Sequence, residues 1–399
     1  RTAPPADADV SRVRFGVVSC ANWEAGYFGA YRHLLGRRDL SAIVHLGDYY
    51  YEYKTGEYTG KGHAIRVHAP RNEARTLRDY RIRHAQYKTD TDLAALHRAL
   101  PWICTWDDHE SADNSWLGGA ENHSPSEGSW AARKAAAERA YYEWMPVRPP
   151  ADAGGLHLYR RLRFGNLLDL SMLDLRTYRD REVSVLSRKI DDKARSITGK
   201  AQLKWLTDGL TGSTATWRIV GNPVMITPVL LPPLDRATTG AITDVLGIPE
   251  GGIPYNADQW DGYTADRARL LRTIRDKKIS NVVFITGDIH TSWACDVPVD
   301  AARYRSTGAV ATELVVPSVT ASNIDEMIKV PEHTVSNAIP PAITALNPHI
   351  KWTDLDAHGY GVLTVTKAAV QMDWYFLRDK TQPRTGEYHG RSFRVRSGS

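Results

Sequence analysis

The sequence predicts an α+β fold of αββα type, with two packed mixed β-sheets flanked by helices. Three observations lead there. Short apolar, strand-like runs alternate with amphipathic helical stretches early in the chain, and strand patterns dominate the last third. Several apolar runs end abruptly in a polar cluster, as strands do where an α/β-type sheet assembles a site along one edge. No internal repeat or interior linker divides the 399 residues. One domain over 1–399 is therefore expected, with a loose Pro/Ala/Asp-rich leader at residues 1–11.

Val13 to Ser19 is the first predicted strand, ending at Cys20, and Tyr27 to Leu35 is a helix stopped at Gly36. Ile43, Val44 and Leu46 form a second strand. Gly47 breaks it and leaves Asp48 at its open end, with Tyr49, Tyr50 and Tyr51 directly behind. Residues 54–72 lack periodicity and are expected as a surface loop. Glu73 to Leu100 carries Leu77, Tyr80, His84 and Tyr87 at spacings of three and four. It is expected as one helix with its arginines on a solvated face.

Pro101 ends that helix, and Trp102 to Trp106 is a strand running into Asp107-Asp108-His109-Glu110. Trp130 to Trp144 is an Ala-rich helix closed at Pro146, and Leu167 to Leu175 is a strand ending at Arg176. Ala201 to Leu210 is a helix, and Trp217 to Val220 a strand opening at Gly221-Asn222-Pro223. Residues 232–261 are rich in Pro and Gly and are expected as a long loop or lid. Thr264 is placed to N-cap a helix running to Lys278. Val282 to Ile285 is a strand into Gly287-Asp288-Ile289-His290. Strands follow at 312–316, 361–366 and 370–376, separated by a Pro/Asn-rich excursion over 330–357.

Composition bounds the function. There are 51 Lys and Arg against 46 Asp and Glu, a net charge of +5 with a pI near 8.9. That mild balance suits an anionic substrate or an anionic membrane lipid surface. Zinc-finger spacing and an aromatic-rich RNA-binding strand are absent, so nothing points to nucleic acid. No run approaches the roughly 20 apolar residues of a transmembrane span. The chain opens at Arg1, so an upstream segment such as a signal peptide is expected to have been removed. The expected location is secreted or extracytoplasmic, and the expected state a monomer. Cys20, Cys104 and Cys295 are an odd count that argues against a disulfide scaffold. Twelve Trp and 19 Tyr against 6 Phe are rings with a polar tip, expected at a cleft or wet interface.

Five strand ends carry polar groups: Cys20; Asp48 with Tyr51; Asp107, Asp108 and His109; Asn222; and Asp288 with His290. Each alone is ordinary, since a lone histidine after an apolar strand is usually structural. Together they repeat one design at ordered positions. Sulfur, nitrogen and oxygen donors converging on one edge are what a binuclear metal site requires. Cys20 thiolate, Tyr51 phenolate and His290 imidazole suit a charged transition metal, and phenolate with thiolate favours Fe3+. Asp108, Asn222 and Asp288 offer oxygen alone, which suits Ca2+, Mg2+ or Mn2+. Asp48 has two oxygens with which to bridge the two. Zn2+ is less attractive beside a phenolate and an all-oxygen second site.

Ser19-Cys20, Gly47-Asp48-Tyr49-Tyr50-Tyr51-Glu52, Trp106-Asp107-Asp108-His109-Glu110 and Gly287-Asp288-Ile289-His290-Thr291-Ser292-Trp293 resemble the signature blocks of PhoD-type alkaline phosphatases and phosphodiesterases. These belong to the wider metallophosphoesterase (calcineurin-like) fold. Leu173-Asp174-Leu175-Arg176-Thr177-Tyr178-Arg179 is similar to a further stretch between them. The resemblance implies metal-dependent hydrolysis of phosphate esters. It implies Fe3+ among Cys20, Asp48, Tyr51 and His290, and Ca2+ at Asp108 and Asp288, with Asn222 where a ligand after the next strand is expected. Two cations about 3.5–4 Å apart would then generate a hydroxide that attacks phosphorus. Asp48 is the expected catalytic bridge, and His109 would contact the phosphoryl oxygen or protonate the leaving group. Arg176, at a strand end, is a candidate for bidentate phosphate contact. Family members usually carry a further β-domain of roughly a hundred residues before the Ser-Cys block. Here 18 residues precede Ser19, and that domain is not expected in this chain.

The same site serves a phosphomonoesterase, a phosphodiesterase or a phospholipase D acting on phospholipid diesters, and the choice depends on the stretches near 232–261 and 330–357. His349, Lys351 and Asp356 fit the His-x-Lys-x4-Asp pattern of an unrelated phospholipase D mechanism. That mechanism needs two copies, and one three-residue match arises by chance at a rate on the order of a few per cent. A non-catalytic metal- or phosphate-binding protein would keep Cys20 and Tyr51 with no need of His109.

Overall fold

The structure is a computed structural model that describes every residue except 1–3, 60–61, 149–150, 153–154, 236, 238, 240–242, 244 and 399. In chain order the strands are β1 (Arg12–Val18), β2 (Ala42–His45), β3 (Trp102–Cys104), the short pair β4 (Ala151–Asp152) and β5 (Gly155–Leu156), β6 (Arg160–Phe164), β7 (Leu168–Met172), β8 (Trp217–Asn222), β9 (Val282–Thr286), β10 (Ser292–Val297), β11 (Ala311–Val315), β12 (Ile350–Asp354), β13 (Gly359–Thr366), β14 (Ala369–Leu377) and β15 (Glu387–Arg396). One sheet has the order β15-β14-β13-β1-β2-β3, and the other β12-β10-β11-β9-β8-β7-β6. Within them β1, β2 and β3 are parallel, as are β7, β8, β9 and β11. Most of their residues are apolar, as expected of strands covered on both faces.

The sheets pack face to face. Phe15, Val17, Val44 and Ile103 of the first meet Leu168, Leu170, Ile219, Val283, Ile285 and Leu314 of the second in one buried cluster. Helices cover the outer faces. The first sheet carries α1 (Gly29–Gly36), α2 (Leu77–Tyr87), α3 (Thr91–Ala99) and α4 (Trp130–Trp144). The second carries α5 (Lys200–Gly212) and α6 (Thr264–Asp276), with Leu206, Leu210, Leu270, Leu271 and Ile274 against Val220 and Phe284. The order helix, sheet, sheet, helix is the αββα architecture read from the sequence. Among the described residues, no helix is long and apolar enough to cross a membrane.

Several local expectations are corrected. The stretch 73–100 is two helices, because Asp90 accepts hydrogen bonds from the Asp92 and Leu93 backbone N–H groups and caps a new start. Arg83 of α2 is not on a solvated face: it is fully buried. Thr264 opens α6 without capping it, and its hydroxyl donates to Asp191 Oδ1 at 2.8 Å. The excursion over 330–357 contains short helices at Thr334–Ala338 and Pro340–Leu346 and the edge strand β12. Of the leader, residues 1–3 lie outside the described residues. Ala8 is docked, its carbonyl accepting from Asn166 N at 2.9 Å. The loop or lid at 232–261 also lies partly outside the described residues. Many tyrosines are core residues rather than cleft residues: Tyr31, Tyr49, Tyr50, Tyr80 and Tyr87 lie between the first sheet and its helices. All three cysteines are free and buried.

Candidate metal centre

Parallel strands in register bring their C-terminal ends to one edge. Val18, His45 and Cys104 are partners across β1, β2 and β3, and Asn222, Thr286 and Val315 across β8, β9 and β11. The loops that leave these ends are tied together. Cys20 N donates to Gly47 O and Ala21 N to Asp48 O, at 3.1 and 2.9 Å, and Val319 N to Ser19 O at 3.0 Å, which joins the two sheets. Two glycines permit the approach. A Cβ on Gly47, at φ +115°, would lie 2.5 Å from Asp107 Cβ, and one on Gly287 would lie 2.7 Å from Ser19 Cβ.

Three overlapping donor groups result. Cys20, Asp48 and His290 bring one ligand atom each within 4.8 Å of the others; so do Asp48, Asp108 and His109; and so do Asp107, Asp108 and Asp288. Asp48 and Asp108 are each shared between two groups. The Tyr51 hydroxyl donates to Asp48 Oδ2 at 3.1 Å and lies 3.0 Å from His290 Nε2. His290 Nδ1 lies 2.7 Å from Ser322 O, so Nδ1 carries the proton and Nε2 keeps its lone pair for the cluster. Cys20, Asp48, Asp288 and His290 all have left-handed backbones, with φ of 59°, 55°, 61° and 58°. Such conformations cost about 1–3 kcal/mol each and persist where surrounding structure over-determines them.

The electrostatics suit cations. Burial pushes the Cys20 thiol and the Tyr51 phenol well above their usual ranges, and the Asp48 carboxylate adds to both shifts. Burial also raises Asp48 itself, with Asp108 and Asp107 adding to the effect and His109 opposing it. Burial would raise Asp108 too, but Arg176, His109 and the Asn114 N–H outweigh it and hold its carboxyl low. Asp48 Oδ1 is buried with no hydrogen-bond partner. Acidic donors that burial keeps protonated, crowded around an unsatisfied carboxylate oxygen, fit a metal pair whose charge would replace their protons.

Residues not singled out from the sequence hold this arrangement. The carboxylate of Glu110 accepts from Asp48 N at 3.1 Å, Tyr49 N at 2.7 Å and Asp107 N at 2.8 Å, fixing two ligand loops at once. Glu52 Oε2 lies 2.8 Å from His109 Nδ1, while Oε1 accepts from Asp113 N and Asn122 Nδ2. Burial lowers the His109 pKa, but Asp108, Glu52 and Asp48 overcome that and raise it well above the ordinary value. Glu52 and Glu110 end the same short motifs that contain Asp48 and His109, which was the available signal. Asp258, which accepts from Arg176, and Gln259, whose Nε2 donates to Asp288 Oδ2 at 3.1 Å, lie a long way along the chain and had none.

Two expected site residues have other partners in this structure. Asn222 is the last residue of β8, so its side chain keeps the strand's orientation and points into the outer layer. Its Oδ1 accepts from Trp260 Nε1 at 3.0 Å and its Nδ2 donates to Val224 O at 2.6 Å. Arg176 does not reach out to phosphate. Its guanidinium grips both oxygens of Asp107 (2.5 and 2.9 Å), both of Asp258 (3.0 and 2.8 Å) and Asp288 Oδ1 (3.1 Å). The His349, Lys351 and Asp356 side chains face separate partners, Pro228 O, Tyr304 and His333.

Comparison with known proteins places the chain in a family. The family model of PhoD-like phosphatases matches residues 15–374. Alkaline phosphatase D of Bacillus subtilis (strain 168) is 34% identical over 390 residues, which are 96% of this chain and 62% of that protein. The chain thus spans less than two thirds of the length of that relative. A solved structure of PhoD is similar with a TM-score of 0.85 and 33% identity, covering 99% of this chain and 72% of the other. A family model that matches most of the length assigns the sequence: the chain belongs to the PhoD-like phosphatase family.

Proposed function

We propose that the protein hydrolyses phosphate esters at a binuclear or larger metal centre. The observation that carries this reading is the sharing of Asp48 and Asp108 between overlapping donor groups, with Asp48 Oδ1 left unpartnered. Cys20, Asp48, Tyr51 and His290 would hold Fe3+, and Asp48, Asp108 and Asp288 would hold Ca2+, with Mg2+ or Mn2+ as alternatives in the all-oxygen site. Bound there, the cations supply Lewis acidity to phosphoryl oxygens and make a water acidic enough to act as nucleophile.

The chain's own residues do the rest. Glu52 holds the proton on His109 Nδ1 and fixes the ring, which directs Nε2 to the cluster and lets it donate to the leaving alkoxide. Arg176 neutralises Asp107 and Asp258 and holds Asp288 Oδ1 in place, leaving phosphate to the cations. Glu110 keeps Asp48 in its left-handed turn.

The test is elemental analysis with turnover. Iron and calcium are expected together, with a visible phenolate-to-iron band that shifts or disappears in Tyr51→Phe. Chelating calcium should abolish hydrolysis and leave the band. Asp48→Asn should lose metal and activity together, and near-normal turnover in that variant sinks the two-metal reading. Rates on a phosphomonoester, an aryl diester and a phosphatidylcholine micelle rank the ester class.

A further inference from the structure

The approach to the metal cluster is walled by aromatic rings. Tyr53 and Tyr58, both half-buried, stand around the imidazole of His109, with ring centroids 5.3 and 6.3 Å from it and 5.4 Å from each other. Tyr58 lies close to parallel with that imidazole, at 19°. It also stacks on Tyr51 at 5.5 Å and 30°. Tyr51 forms the inner layer, 4.1 Å from His109. The wall thus stands beside the side chain that would serve the leaving group.

The wall is held rigidly from behind. Arg83 of α2 donates to the carbonyls of Tyr51, Tyr53, Ala69, Pro70 and Asn72. Asn22, just after β1, donates to Tyr58 O at 2.7 Å. Glu24, fully buried, accepts from Gly56 N and His68 N. Anchors from two separate elements therefore fix the backbone on both sides of the two tyrosines. Tyrosine has few rotatable bonds, so a ring held in this way presents contact area at little entropic cost.

We propose that Tyr53 and Tyr58 form a fixed aromatic wall on the leaving-group side, selecting phosphate esters whose leaving alcohol carries a flat aromatic ring. This rests on the phosphoesterase reading above. A ring one carbon beyond the ester oxygen would meet Tyr58 face to face with an offset, or Tyr53 edge to face, the two arrangements aromatic pairs favour. A saturated ring of the same size has no flat face and no quadrupole. Plain apolar burial would favour the saturated ring, so a preference for the flat one isolates stacking.

The experiment compares benzyl and cyclohexylmethyl phosphates, as monoesters and as methyl diesters, with the metal-loaded full chain. The two alcohols are close in size and acidity, so the ratio of kcat/KM reads ring flatness. The expected ratio is about five- to tenfold in favour of benzyl. It should fall towards one in Tyr53→Leu and Tyr58→Leu and survive in Tyr53→Phe and Tyr58→Phe, which lose only hydroxyls. The Kd ratio of benzylphosphonate to cyclohexylmethylphosphonate, measured by calorimetry, should move in the same way without turnover. A wild-type ratio near one, or a ratio unchanged in both leucine variants, overturns the wall. No hydrolysis of any ester with the phosphonate preference intact overturns the phosphoesterase reading and leaves the wall standing. Loss of both signals overturns both.

Discussion

Replacing Glu110 by glutamine removes one charge and keeps the shape, and the structure fixes what is lost. Three backbone N–H groups converge on this carboxylate, two on Oε2 and one on Oε1. In its better orientation the amide keeps Asp48 N and Asp107 N on its oxygen and turns its NH2 against Tyr49 N. One charge-assisted bond disappears and two become neutral, a gross loss of about 3–6 kcal/mol if charged bonds contribute about 1.5–3 kcal/mol each and neutral ones about 0.5–1.5. Part of this is returned, because the carboxylate is itself costly here. Burial pushes the Glu110 carboxyl up to about 7 despite the three donors. A carboxyl raised that far gains about 3–4 kcal/mol when its charge is removed, so the net expectation for Glu110→Gln is a loss of about 0–3 kcal/mol of stability. Urea denaturation of metal-stripped protein measures it without the contribution of bound metal. The variant should also retain less metal per chain, since Asp48 and Asp107 sit on the loops it releases. A stability lowered by much more than about 3 kcal/mol would contradict the offset, and a full metal complement in the variant would refute the reasoning.

Three further outcomes follow from the same geometry. His109→Ala should keep its metal and lose about 10²–10⁴-fold in rate, less for a nitrophenyl ester than for an alkyl ester; equal losses on the two would assign His109 to phosphate binding. Gly47→Ala should be unstable, by about 1–2 kcal/mol for the positive φ and about 1–3 kcal/mol for the contact with Asp107, read as a lowered denaturant midpoint. The third concerns acid. Burial raises the Glu326 carboxyl, but His358 and Lys380 more than reverse that and hold it well below the usual range. A depressed native pKa means that its stabilisation is complete above the unfolded value of about 4.3 and fades as the pH falls below it. Wild type should therefore lose stability more steeply than Glu326→Gln between about pH 5 and pH 3, and parallel curves would contradict this.

What was legible in the sequence and what was not divide along a physical line. Ile43 to Asp48 could be read because a buried parallel strand is a continuous apolar run, and the glycine that ends it also announces the turn. Cys20, Asp108, Asp288 and His290 lie just past such runs, in turns where the side chain is free to face the edge. Asn222 has the same chemistry but is still within β8, so pleating decides its direction. The sequence position alone did not show that one-residue difference. The partners of Arg176 were hidden for another reason: the carboxylates of Asp107, Asp258 and Asp288 are 69, 82 and 112 residues away along the chain. The single helix expected over 73–100 broke at Asp90, where a local cap outcompeted a periodicity that runs on through it. Tyr49 and Tyr50 are accommodated inside because their hydroxyls find partners there, Tyr50 with Glu110 O and Tyr49 with His97.

The left-handed turns at Cys20 and His290 set stability against function. Glycine, asparagine and aspartate visit that conformation routinely, while cysteine and histidine do so at a cost. A descendant released from the need to bind metal would become more stable by Cys20→Gly or His290→Asn, and drift would be drawn to those changes. Replacing Asp48 or Asp288 offers a smaller gain, because aspartate already tolerates its turn. Among chains of this architecture, glycine or asparagine at the first and last ligand positions would thus mark an abandoned metal centre earlier than the loss of any carboxylate.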